Sequence, residues 1–186
     1  SEVKPTLKKE FGMAFVEASW PDLVTLGLAA REKSASLFAG GLPSVKKLIN
    51  NRASLREIGN DLVELGNTAG ERDVFVVFEC GLPAMKEMIK DRESLKKIVN
   101  ELIMVVKGVG AKDSTILFLH RLPQLKKQLG ADFEEYWPGL SALTASAGNE
   151  SLSLFSDVQS LKKLFGNDLK IYWPGLVTMG TTAGEK

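Results

Sequence analysis

The sequence is short of the groups that most chemistry needs. It holds one cysteine, Cys80, and one histidine, His120. A single thiol excludes an internal disulfide framework and leaves the redox compartment open. With no thiol pair and no second histidine, there is no ligand set for a transition metal. A catalytic Cys80 would need a base, and His120 alone could serve; a lone histidine reads as a structural or solvated residue. Charge of one sign is also missing. Lys and Arg number 24 against 23 Asp and Glu, a net charge of +1, so no bulk field favours nucleic acid or an acidic membrane. No apolar run approaches the roughly 18 residues that cross a bilayer, and no signal-peptide pattern opens the chain. There is no glycine-rich phosphate loop, because Gly108-Val109-Gly110 is too short and reads as a helix end. Glu134 and Glu135 point about 100° apart on a helix and read as a solvated face. The expectation is a non-enzymatic protein with no cofactor and no metal.

What is present is repetition. Gly41-Leu42-Pro43-Ser44-Val45-Lys46-Lys47-Leu48-Ile49 returns as Gly81-Leu82-Pro83-Ala84-Met85-Lys86-Glu87-Met88-Ile89. It returns again as Arg121-Leu122-Pro123-Gln124-Leu125-Lys126-Lys127-Gln128-Leu129. The leucines at 42, 82 and 122 give a fixed period of about 40, the signature of a helical solenoid. Looser copies lie around Leu7 and Leu161. A second marker keeps the register: Trp20-Pro21-Asp22-Leu23, Trp137-Pro138-Gly139-Leu140 and Trp173-Pro174-Gly175-Leu176 hold all three tryptophans. Gly59-Asn60-Asp61-Leu62 and Val99-Asn100-Glu101-Leu102 replace it in the middle copies. The tryptophans could be ligand-stacking platforms, but recurrence at one position favours packing between copies. The expected division is one domain over 1–186, with copies at 4–41, 42–81, 82–121, 122–157 and an incomplete 158–186. The chain begins without methionine, and the last copy lacks the polar cap that a terminal repeat needs. The expectation is a piece of a longer array, or an end that a partner covers.

Each copy reads as three helical segments. In the second copy, segment A covers about 43–50, with Leu42, Val45, Leu48 and Ile49 on one face and Pro43 in the first turn. Segment B covers about 54–68. Ser54 and Glu57 read as its capping box, and Gly70 as its C-terminal stop. Only Arg31 departs from glycine at that stop. Segment C covers about 71–80 and ends at Gly81. Val74-Phe75-Val76-Val77-Phe78 alone would pass for a buried strand. The equivalent Ser34-Ala35-Ser36-Leu37-Phe38 is less β-like, so helix is expected in all copies. The Trp-Pro step predicts a kink in B, or a restart with proline in the first turn.

A unit of about 40 residues, with Gly-Leu-Pro opening a helix after a glycine stop, resembles the armadillo repeat. Gly81-Leu82-Pro83-Ala84-Met85-Lys86-Glu87-Met88-Ile89 looks like that family's boundary between repeats. Gly59-Asn60-Asp61-Leu62-Val63-Glu64-Leu65-Gly66-Asn67 sits where its second helix lies. HEAT-type repeats, with two helices, are the close competitor. The resemblance implies an all-α, right-handed solenoid whose third helices line a concave groove for extended peptides.

One lysine flanks the buried side of A in every copy: Lys8, Lys46, Lys86, Lys126 and Lys162. Its stem is expected to cover apolar surface while its ammonium stays wet. The alternative is a ladder of positive charge for a polyanion. These five, with Arg72, Lys112 and His120, are the candidate partner contacts. The leading expectation is a scaffold that binds another protein or an extended peptide. Phosphate or nucleic-acid binding through the ladder, and end-to-end self-association, are the alternatives.

Overall fold

A computed structural model describes residues 3–148 and 151–184 of the chain. The fold is all-helical, at 94% helix, with no strand among the described residues. Val74–Phe78 is therefore helix: packing of its buried side chains overrides the β-preference of a valine-rich run. The expected fifth copy, 158–186, runs past the described residues at its last two positions. The chain divides into two compact units, Ser1–Asn100 and Glu101–Lys186.

The first unit opens with α1 (Val3–Phe11), α2 (Met13–Ala18) and α3 (Trp20–Ala30). Next come α4 (Ser34–Ser36), a π-helical turn over Leu37–Gly41, α5 (Leu42–Ser44) and a 3₁₀ turn over Lys46–Leu48. The long helix α6 (Arg52–Ala69) packs along α3. Then the pattern returns: α7 (Glu71–Phe75), a π-helical turn over Val76–Gly81, α8 (Leu82–Met85), a 3₁₀ turn over Lys86–Met88, and α9 (Arg92–Val109), in which the division falls. Leu7, Leu37, Leu42, Leu62, Val77 and Phe78 are among its buried side chains.

The glycine before Leu-Pro does not stop a helix. Gly41 and Gly81 are right-handed helical, at φ −58° and −71°, so segment C of one copy runs on into segment A of the next. The expected boundary between those segments is replaced by one helical run per copy. A proline follows each π-helical turn and fits it, although Pro138 and Pro174 lie in α-helices without one. A proline inside a helix lacks the N–H and clashes with the carbonyl four residues back. Widening the preceding turn relieves that clash. The Leu42 N–H donates to the Leu37 carbonyl, five residues back, and Leu82 N–H to Val77 and Leu122 N–H to Leu117 do the same.

The start of α6 also differs from the expectation. Asn51, not Ser54, is the N-cap: its side chain accepts from the Ser54 N–H at 2.9 Å, and Ser54 Oγ accepts from the Asn51 N–H at 3.1 Å. Asp91 and Ser94 repeat this pair before α9. The box is thus Asx-x-x-Ser rather than Ser-x-x-Glu, and each helix begins two residues earlier than predicted. Gly70 stands at φ 89° as the sequence expects of a stop, and Arg31 takes φ 52° at the same place.

The second unit holds the end of α9, α10 (Ala111–Ile116), a π-helical turn over Leu117–Arg121 and α11 (Leu122–Leu129). Then follow α12 (Phe133–Ala147), α13 (Ser151–Phe165) and α14 (Leu169–Gly184). Pro138 and Pro174 lie inside α12 and α14, whereas Pro21 occupies the first turn of α3. Helix α14 packs along α12.

Candidate functional site

The residue before the recurring leucine of the long helices decides how each meets its successor. In the first unit this residue is an acid. Asp22 accepts from Arg52 Nε at 2.7 Å, with Arg56 at 3.8 Å. Asp61 takes both Arg92 Nε at 2.7 Å and Nη2 at 3.0 Å, with Lys96 at 3.4 Å. Such forked pairs match planar guanidinium to planar carboxylate. The bond from Arg52 holds the Asp22 carboxyl below the usual range. Burial pushes Asp61 up, but its bonds to Arg92 and Lys96 outweigh that and lower it.

In the second unit a tryptophan takes over from the arginine. Glu101 is buried, and its carboxylate accepts from Trp137 Nε1 at 2.7 Å. One copy later the acid is gone. Gly139 stands in its place, and a Cβ there would fall 2.5 Å from Trp173 Nε1 and 2.6 Å from Val177 Cγ2. Trp173 lies on the bare glycine and meets Tyr136 edge-on at 5.2 Å. Its indole N–H is buried and has no acceptor among the described residues. The packing role predicted for the tryptophans thus describes Trp137 and Trp173, at 0% and 6% exposure. It does not describe Trp20, at 41%.

The lysines do not share one environment. Lys126 sits 5.7 Å over the Phe133 ring, and Lys162 pairs with Asp132 at 3.0 Å. Asp132 also takes Lys170 at 3.0 Å, and these two cations hold its carboxyl below the usual range. Lys8 is half-buried. Lys46 and Lys86 are exposed and border one hollow of about 420 Å³ in the first unit. Phe11, Phe15, Pro43 and Ile49 line it, with Lys47 and Glu87. Lys46 reaches Glu10 at 3.8 Å, an exposed contact of the kind that contributes little. Arg72, Lys112 and His120 are exposed and outside this hollow.

No family model, no curated protein and no solved structure matches this chain. Among the described residues no cluster of His, Cys, Asp or Glu is arranged to hold a metal ion, and no helix is long and apolar enough to cross a membrane. Cys80 is buried, and burial with the nearby Glu79 pushes its thiol up.

Sequence reasoning did not single out Phe11, Phe15 or the acid–arginine pairs. For the pairs a signal existed. Asp22, Asp61 and Glu101 precede the leucine of three successive copies, and Arg52 and Arg92 stand 40 apart. For the phenylalanines there was none, because only folding brings α1 and α2 beside Pro43 and Lys86.

Proposed function

We propose that the chain is a helical-repeat binding module that holds an extended segment of another protein. The finer architecture in this reading is a right-handed α-solenoid. The recurring order of helix, π-helical turn and Leu-Pro supports it, as do the acid–base pairs spaced 30 and 31 residues apart, Asp22–Arg52 and Asp61–Arg92. The unbroken run from segment C into segment A favours a two-helix, HEAT-type unit over a three-helix, armadillo-type one.

The observation that carries the binding reading is the hollow of the first unit. Its apolar floor of Phe11, Phe15 and Ile49 and its rim of Lys46, Lys47 and Lys86 are complementary to a segment that alternates apolar and acidic residues. Apolar burial would supply most of the affinity, and the lysines would set direction and register.

A peptide array probed with the labelled chain tests this. Apolar-acidic segments should be retained, and Phe15→Ser and the double variant Lys46→Glu with Lys86→Glu should each lose them. If the lysines alone matter and heparin competes with a steep salt dependence, the chain is a polyanion binder and the peptide reading fails.

A further inference from the structure

The two terminal long helices expose the two halves of an interface that the second unit builds internally. In that unit α14 offers Trp173, Val177 and Gly180, and α12 receives them with Tyr136, Gly139 and Leu143. The receiving face is well covered: Tyr136 is 1% exposed and Leu143 8%.

Helix α14 carries the same receiving face again on its far side. Tyr172, Gly175 and Met179 repeat the spacing of Tyr136, Gly139 and Leu143. Here the face is open: Tyr172 is 53% exposed and Met179 64%. A Cβ at Gly175 would meet nothing within 4 Å, and a hollow of about 360 Å³ lies over Met179, Thr178, Thr182 and Ala183.

Helix α3 carries the offering face. Trp20-Pro21-Asp22-Leu23-Val24-Thr25-Leu26-Gly27 matches Trp173-Pro174-Gly175-Leu176-Val177-Thr178-Met179-Gly180 at the tryptophan, proline, leucine, valine, threonine and glycine. The two segments also fold alike, because Thr25 Oγ1 donates to the Pro21 carbonyl and Thr178 Oγ1 to the Pro174 carbonyl, both at 3.0 Å. The other side of α3 is occupied: Asp22 takes Arg52, and a Cβ at Gly59 of α6 would run into Leu26. Trp20 and Val24 are 41% and 43% exposed and line, with Leu7, a hollow of about 240 Å³ whose Gly27 end the Phe38 ring already covers, 3.2 Å from where a Cβ would stand.

We propose that α3 of one copy docks on α14 of a second copy, seating Trp20 over Gly175 as Trp173 seats over Gly139. The contact is heterologous, since the surfaces differ and each copy has one of each, and contacts of that kind close into rings or run on as chains. A single helix-on-helix face lies at the small end of specific interfaces, and association should be roughly micromolar. The inference goes beyond peptide binding and uses none of Phe11, Phe15 or the lysines, so either property can fail without the other.

Sedimentation velocity from micromolar to near-millimolar protein is the test. The chain should grow past the dimer as concentration rises. Gly175→Leu fills space that is empty in the single copy, so the variant should fold with an unchanged or higher melting temperature and still remain a monomer. Trp20→Glu should weaken association roughly thirtyfold or more, as loss of a buried aromatic anchor gives, so it stays monomeric at concentrations where the parent has already assembled. An equimolar mixture of the two variants pairs the intact α3 face of one with the intact α14 face of the other. It should form dimers and stop there. A chain that stays monomeric throughout, a Gly175→Leu variant that assembles like the parent, or a mixture that stays monomeric would each overturn the proposal.

Discussion

Trp137 and Trp173 occupy equivalent positions and differ in one bond. Trp137 donates to a buried carboxylate, and Trp173 donates to nothing among the described residues. Replacing each by phenylalanine keeps most of the ring and removes the N–H. Trp137→Phe should therefore cost about 1.5–3 kcal/mol, the range for a bond to a charged group. Trp173→Phe should cost clearly less, and chemical denaturation of both variants compares them. Equal losses would mean that ring volume alone decides. Asp61 supplies the second residue-scale prediction. Its carboxyl lies below the ordinary 3.8 in the folded chain, as do those of Asp22 and Asp132. A depressed folded value contributes stability above the unfolded one and loses it as pH falls through the folded one. Stability should stay level down to about pH 4 and then fall. Asp61→Asn should lose about 1.5–3 kcal/mol near neutrality and show a shallower acid fall. A fall as steep as the parent's would place the titrating groups elsewhere.

The π-helical turn sets the three Leu-Pro junctions apart from a plain helix. It lets the chain pass a proline without ending the helix, and it brings two backbones close. A Cβ on Gly40 would lie 2.7 Å from the Phe78 carbonyl carbon and 2.8 Å from Glu79 Cα. Gly40→Ala should therefore cost about 1–3 kcal/mol, as overpacking does, because neither turn can retreat without breaking its own bonds. A thermal midpoint equal to the parent's would show that these turns yield. At the other end of an element, Arg31 holds φ 52° and ψ −126°, close to the values that Gly148 takes. Side chains strain such a backbone. Arg31→Gly should raise stability by about 1 kcal/mol, and a loss would mean that the arginine side chain has a structural partner worth more than the strain.

At the scale of the whole molecule, the helical class and the long B helices were legible because leucine spacing and tryptophan recurrence report directly on burial. The junctions were not. Gly-Leu-Pro reads as a stop and a start, since glycine and proline each break helices in isolation, yet here one widened turn carries the helix through both. Ser54 with Glu57 offers a commoner capping pattern than Asn51 with Ser54, which hides the cap that forms. The hollow at Phe11 and Phe15 depends on which helices meet, which periodicity does not encode. The three tryptophans have a further consequence in optical terms. One is part-exposed, one faces a carboxylate and one is enclosed beside a tyrosine, so the chain carries three separate emitters. Acrylamide should quench Trp20 in the folded protein and reach Trp137 and Trp173 only on unfolding. Trp20→Phe should remove the quenchable fraction, and a fraction that persists would show that a second indole is open to solvent. In the parent chain that fraction becomes a meter of contact between molecules, dimming its response to quencher as Trp20 is covered.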